Sequence, residues 1–254
     1  MDSPVSHRAP APITSARLYS LAAVMLVLAW DASCLDLAMA RLFGSAAGFP
    51  GELHWFWRGA MHEPLRNLGW LVELTLLAAL FRPYGVFKQL PIERRMQLAL
   101  TPLLALILVA GNKAHSLTSC PSELQEFGGV ASYVSHWALG LADGGRGACF
   151  PAGHASAGFA FVAGFFAFRH SLPQLAARWL VGAVLAGLTL GLAQQVRGQH
   201  FMSHTLWTAL ICWLCAASVD WGVSQWIARR PARAPAPAHD FEAQTPLLQP
   251  ASHG

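Results

Sequence analysis

The sequence predicts an all-α polytopic membrane protein, a bundle of six transmembrane helices. Three observations carry that expectation. Of the 254 residues, 54% are hydrophobic and only 12% charged. Several apolar runs approach the ~20 residues that a helix needs to cross a bilayer. The basic residues are almost all arginines, with Lys88 and Lys113 the only lysines, and most of them fall between the apolar runs. A net charge of +4 spread in this way reads as membrane topology and not as a nucleic-acid surface.

Residues 1–17 are polar and rich in Pro, Ser and Ala, and read as a short cytoplasmic segment. The first span starts at Leu18 and continues past Asp31 and Asp36 to Ala40. Ala38-Met39-Ala40 resembles a signal cleavage site, but two aspartates before it argue for a retained span. Residues 41–66 mix Trp55, Trp57, His54 and His62 with arginines, as an interfacial segment does. The second span covers Leu68 to Phe81 and the third Gln97 to Asn112, joined by a basic loop with Pro83 and Pro91.

A long loop rich in Gly, Ser and His follows, from Lys113 to Phe150. The fourth span is expected from Pro151 to Phe168, the fifth ends at Val196 and the sixth at Ile227. The tail 229–254 is rich in Pro and Ala and reads as a disordered cytoplasmic segment. The membrane domain is therefore 18–228. With six spans both termini share a side, which collects most of the arginines and is cytoplasmic by the positive-inside rule. The expected location is the inner membrane of a bacterium, with the three remaining loops facing the periplasm.

Those outward loops hold three chemical clusters. The first is Lys113 with Cys120-Pro121, the second Pro151-Ala152-Gly153-His154, and the third Arg197 through His200 to His204. Pro151 suits a first helical turn, and Gly153 would leave main-chain N–H groups open to an anion at a helix N-terminus. Two cations and several imidazoles at one depth point to an anionic guest, with the bilayer as the other partner. Asp31 and Glu73 are intramembrane acids, functional by default or paired with Arg or Trp. His115 and His136 read as loop histidines. Cys212 and Cys215 read as packing residues in an apolar run.

These clusters resemble the type 2 phosphatidic acid phosphatase superfamily. Its pattern is Lys-x6-Arg-Pro, then Pro-Ser-Gly-His, then Ser-Arg-x5-His-x3-Asp. Lys113 and Pro121 match the first part, with Cys120 at the arginine. Residues 151–154 match the second, with Ala152 at the serine. His200 matches the third, with Ala193-Gln194 at Ser-Arg, His204 at the aspartate, and Arg197 one helical turn after the expected arginine. The resemblance covers roughly residues 95–228.

The resemblance implies an integral membrane phosphatase that hydrolyses a lipid phosphate monoester or pyrophosphate through a phosphohistidine, without metal or cofactor. His200 would be the nucleophile and His154 the general acid. Lys113, Arg197 and the N–H groups of Ala152 and Gly153 would hold the phosphate oxygens. His204, four residues on, would orient the His200 ring in place of the aspartate. Cys120 and Cys149 lie in one outward loop of an oxidising compartment, so a disulfide between them is expected, against the alternative of two free thiols. Two other readings stay open. His200-x3-His204 has the spacing of a metal-ligand pair, which would make a membrane metalloenzyme. The Gly/Ala-rich run 155–167 suits close helix packing in a non-enzymatic transporter.

Overall fold

The computed structural model of the chain describes residues 13–60 and 62–230. Most of the expected N-terminal segment and nearly all of the expected tail lie outside the described residues. Among the described residues the protein is helical, with two isolated β-bridges and no strand. Three helices are long and apolar enough to cross a membrane: α4 (Ile92–His115), α7 (Pro173–Val196) and α8 (Met202–Ala228). Two further helices, α1 (Ile13–Ala32) and α3 (His62–Phe81), are 20 residues each. At ~1.5 Å per residue each is about 30 Å long.

The first apolar run is not one helix. It breaks after Ala32, where Cys34 takes a left-handed conformation (φ 55°), and restarts as α2 (Leu35–Ala40). Two acids cause the difference. Five residues apart, Asp31 and Asp36 would project from a straight helix about 140° from each other, and a carboxylate turned to lipid there would lack donors. The break turns Asp36 inward to accept hydrogen bonds from the Trp30 indole at 2.8 Å and the Ser203 amide at 3.0 Å.

The fourth expected span also differs. No helix starts at Pro151, and residues 151–155 form a turn. Helix α5 (Ser156–Phe159) runs through a 3₁₀ turn, Ala160–Val162, into α6 (Ala163–Phe168). Glycine permits the tight packing of this segment on α7. A Cβ at Gly158 would sit 2.2 Å from the Gly187 nitrogen, so the two backbones touch. The core formed there joins Val109, Phe159, Phe166, Cys212 and Ala216 of α4, α5, α6 and α8. Cys212 and Cys215 are free, buried thiols within it.

Charge is paired at one end of the bundle. Asp220 of α8 accepts from Arg94 Nη1 at 2.6 Å, Gln97 Nε2 at 3.1 Å and Arg169 Nη2 at 2.5 Å. Arg94 also donates to the Ser224 hydroxyl at 2.9 Å. Arg94 and Arg169 belong to the stretches that mark basic loops in the sequence, yet here they lock α4, α6 and α8 together. The opposite end carries the long 113–150 segment, with 3₁₀ turns at Pro121–Glu123 and Gln125–Phe127. A small cluster of Phe49, Leu124, Phe127, Ala131 and Phe201 seats that segment on the bundle.

Candidate active site

Helix α4 runs farther than its apolar pattern, so Lys113 lies in its last turn and not in the loop. From there the chain doubles back on itself. Ala148 donates to the Ser116 carbonyl at 2.7 Å and Cys149 to the Thr118 carbonyl at 3.0 Å. Asp143 secures the pairing, accepting from the Ser119 amide at 2.6 Å and the Ser119 hydroxyl at 2.7 Å. Cys120 and Cys149 are joined by a disulfide, Cα–Cα 5.3 Å. The Lys113 segment is thus laid along the chain that enters the His154 turn.

The third cluster is tied to both of the others. The Ser122 amide donates to the Gly198 carbonyl at 2.9 Å, and the Ala152 amide to the His204 carbonyl at 3.2 Å. Thr208 bridges the Ala152 and His204 carbonyls through its hydroxyl. Three stretches far apart in sequence therefore meet at the end of α4 and the start of α8. The Lys113 side chain lies against Gly153, where an added Cβ would be 3.9 Å from Nζ. The His154 and His200 ring centroids are 6.5 Å apart, and those of His200 and His204 are 5.8 Å apart.

His200 is 2% exposed and sits in the turn before α8. Its Nδ1 faces the Cys149 sulfur at 3.4 Å. Burial holds the His200 pKa well below its ordinary value, and the nearby His204, Lys113 and His154 add to the depression. A neutral imidazole keeps a nitrogen lone pair available, the state a nitrogen nucleophile needs.

Some of the sequence-assigned roles take a different geometry. The Ala152 N–H is spent on the His204 carbonyl and is not directed at a guest anion. The helix that would have supplied an anion seat begins at Ser156, because Pro151 lies in an irregular turn after Phe150. His204 does not hydrogen-bond the His200 ring. It is fully buried, edge-on to Phe150 at 5.3 Å and to Phe201 at 5.4 Å. Arg197 caps α7, donating from Nε to the Glu52 carbonyl at 3.4 Å and from Nη1 to Gln194 Oε1 at 3.3 Å. Cys120, Cys149 and His200 bring three metal-ligand atoms within 4.8 Å, but the disulfide consumes both thiolates.

Other residues at the site carry more than their sequence suggests. Asp36 also accepts from the Ser203 hydroxyl, so it caps α8 from a distant segment. Asp31 Oδ2 accepts from the Trp207 indole at 2.9 Å and the Trp137 indole at 3.0 Å, and meets His136 Nε2 at 3.3 Å. His136 is stacked on Phe150, centroids 4.4 Å apart and planes within 6°, and so is no simple loop histidine. The signal available in the sequence was the cost of burying acids in an apolar run; apart from the Trp30 indole on Asp36, their partners lie more than 100 residues away.

A family model described as the PAP2 superfamily matches residues 94–229, a range that holds Lys113, His154 and His200. No curated protein and no solved structure matches the chain.

Proposed function

This chain belongs to the PAP2 superfamily, a family of phosphatases, and from that premise we propose that it removes a phosphate or pyrophosphate from a membrane lipid at the periplasmic face. The observation that carries the reading is the convergence of Lys113, Gly153, His154 and a neutral, buried His200 at one end of the bundle. In this reading α1, α3, α4, the α5–α6 segment, α7 and α8 are six spans, with both termini in the cytoplasm. The Arg94–Asp220–Arg169 lock then marks the inner end and the histidine cluster the outer end.

The chemistry follows from the groups. His200 Nε2 attacks phosphorus as the bond to the lipid oxygen breaks, and His154 gives that oxygen a proton. A phosphohistidine results. His154, now neutral, takes a proton from water, which attacks phosphorus and releases inorganic phosphate and the free His200 ring. Lys113 and Arg197 supply positive charge for the equatorial oxygens as negative charge builds on them. The Cys149 sulfur, 3.4 Å from His200 Nδ1, takes over the orienting of His200 that the family pattern gives to an aspartate.

The test is phosphate release by the purified protein from phosphatidic acid, phosphatidylglycerol phosphate, an isoprenoid pyrophosphate and lipid A. At least one is expected to be turned over in the presence of EDTA, with an acid-labile phosphoenzyme trapped on rapid quench. His200→Ala is expected to abolish both signals. Turnover that survives His200→Ala refutes the mechanism.

A further inference from the structure

We propose that the cavity beneath His154, between α3, α4 and α5, receives the leaving group of the substrate and selects a hydroxylated one through Glu73. The proposal rests on the hydrolase reading above and names the substrate class of that same site. The cavity holds about 240 Å³ and is lined by Arg66, Trp70, Glu73, Leu106, His154 and Phe161. Its one wall is the assigned general acid, so a lipid oxygen protonated by His154 has this space directly beside it.

Glu73 makes the cavity specific. It is 2% exposed, and neither carboxyl oxygen has a hydrogen-bond partner among the described residues. Buried polar groups are nearly always paired, and an unpaired one carries an uncompensated desolvation cost. A ligand bearing O–H donors removes that cost; an alkyl ligand leaves it in place. The other polar groups do not satisfy the acid. The Ser156 hydroxyl already donates to the Gly153 carbonyl at 2.6 Å, and most of the remaining lining is apolar.

The order along α3 fits the same occupant. Arg66 precedes Glu73 by seven residues, two helical turns or roughly 10 Å along the axis. A cation toward the start of α3 and an acceptor two turns on, both lining the cavity that His154 borders, match a phosphate joined to a short polyol, such as a glycerol unit. The volume accommodates such a unit.

The experiment compares two lipids of similar chain: lauroyl-glycerol phosphate, which carries a free hydroxyl, and dodecyl phosphate, which does not. Dissociation constants are measured on His200→Ala protein in detergent, so that neither lipid is consumed. The glycerol lipid is expected to bind about tenfold more tightly, the upper end of the net value of a hydrogen bond to a buried polar group. Adding Glu73→Leu is expected to bring the ratio to near one, while Glu73→Gln, which keeps an acceptor oxygen, retains most of it. Equal affinities in the His200→Ala protein, or binding of neither lipid, overturns the subsite without recourse to a Glu73 variant. A ratio that survives Glu73→Leu overturns the role of Glu73. Turnover of neither lipid by the wild-type protein counts against the hydrolase reading alone, because the dissociation constants are read independently of it.

Discussion

Replacing Asp36 with alanine should loosen the site from outside it. Asp36 is 8% exposed and accepts from the Trp30 indole, the Ser203 amide and the Ser203 hydroxyl. Alanine leaves three donors unpaired, two buried and one half-buried. Each costs about 1–3 kcal/mol, and water entering the gap recovers part of it, so a net loss of about 3–5 kcal/mol is expected. By the scaling for a chain of this size, that lowers the midpoint of thermal unfolding by about 6–20 °C. The damage is local to the start of α8, where Ser203 follows His200 by three residues. A shift of about 1 Å in His200 would lower kcat by about 10²-fold. The assay is thermal unfolding in detergent beside phosphate release, with Asp36→Asn as the intermediate case, since it keeps one acceptor oxygen. A midpoint within 2 °C of wild type, with kcat unchanged, would refute the claim that Asp36 caps α8.

The disulfide gives a second expectation: Cys120→Ser with Cys149→Ser reopens a loop with a sequence separation of 29. The loss should be about 3–4 kcal/mol by chain entropy, read as a lower unfolding midpoint that reductant no longer changes. The third concerns pH. The His200 pKa in the folded protein lies well below the unfolded value of about 6.5. The unfolded state therefore binds the proton first, so the stability that His200 contributes is fully present above pH ~6.5 and is lost as pH falls toward the folded pKa. Thermal unfolding of wild type and His200→Gln from pH 8 to 4 checks this: the two curves should converge or cross on the acid side. On the same grounds the acid limb of kcat/KM assigned to His200 should lie below pH 6.5.

The sequence by itself determined the class of protein, because that property is local. A stretch of apolar side chains is costly in water wherever it folds, so α4, α7 and α8 are legible as membrane-crossing helices. The spacing of Lys113, His154 and His200 was legible in the same way, as short motifs with a chemical sense. What the sequence could not fix was anything that depends on a distant partner. The break in the first apolar run is dictated by Ser203, Trp137 and Trp207, which stand far along the chain from Asp31 and Asp36. The start of the fourth helix moved from Pro151 to Ser156 because the preceding turn is fastened to His204 and to the Cys120–Cys149 bridge. The His200 ring turns its Nδ1 to the Cys149 sulfur and makes no hydrogen bond to His204, although the four-residue spacing favoured His204. Glu73 shows the same division: its burial follows from an apolar helix, but its lack of a partner among the described residues is a property of the space between α3, α4 and α5. A hydrogen bond across a hundred residues leaves no periodic trace in the chain, so only the tertiary structure decides which groups are paired.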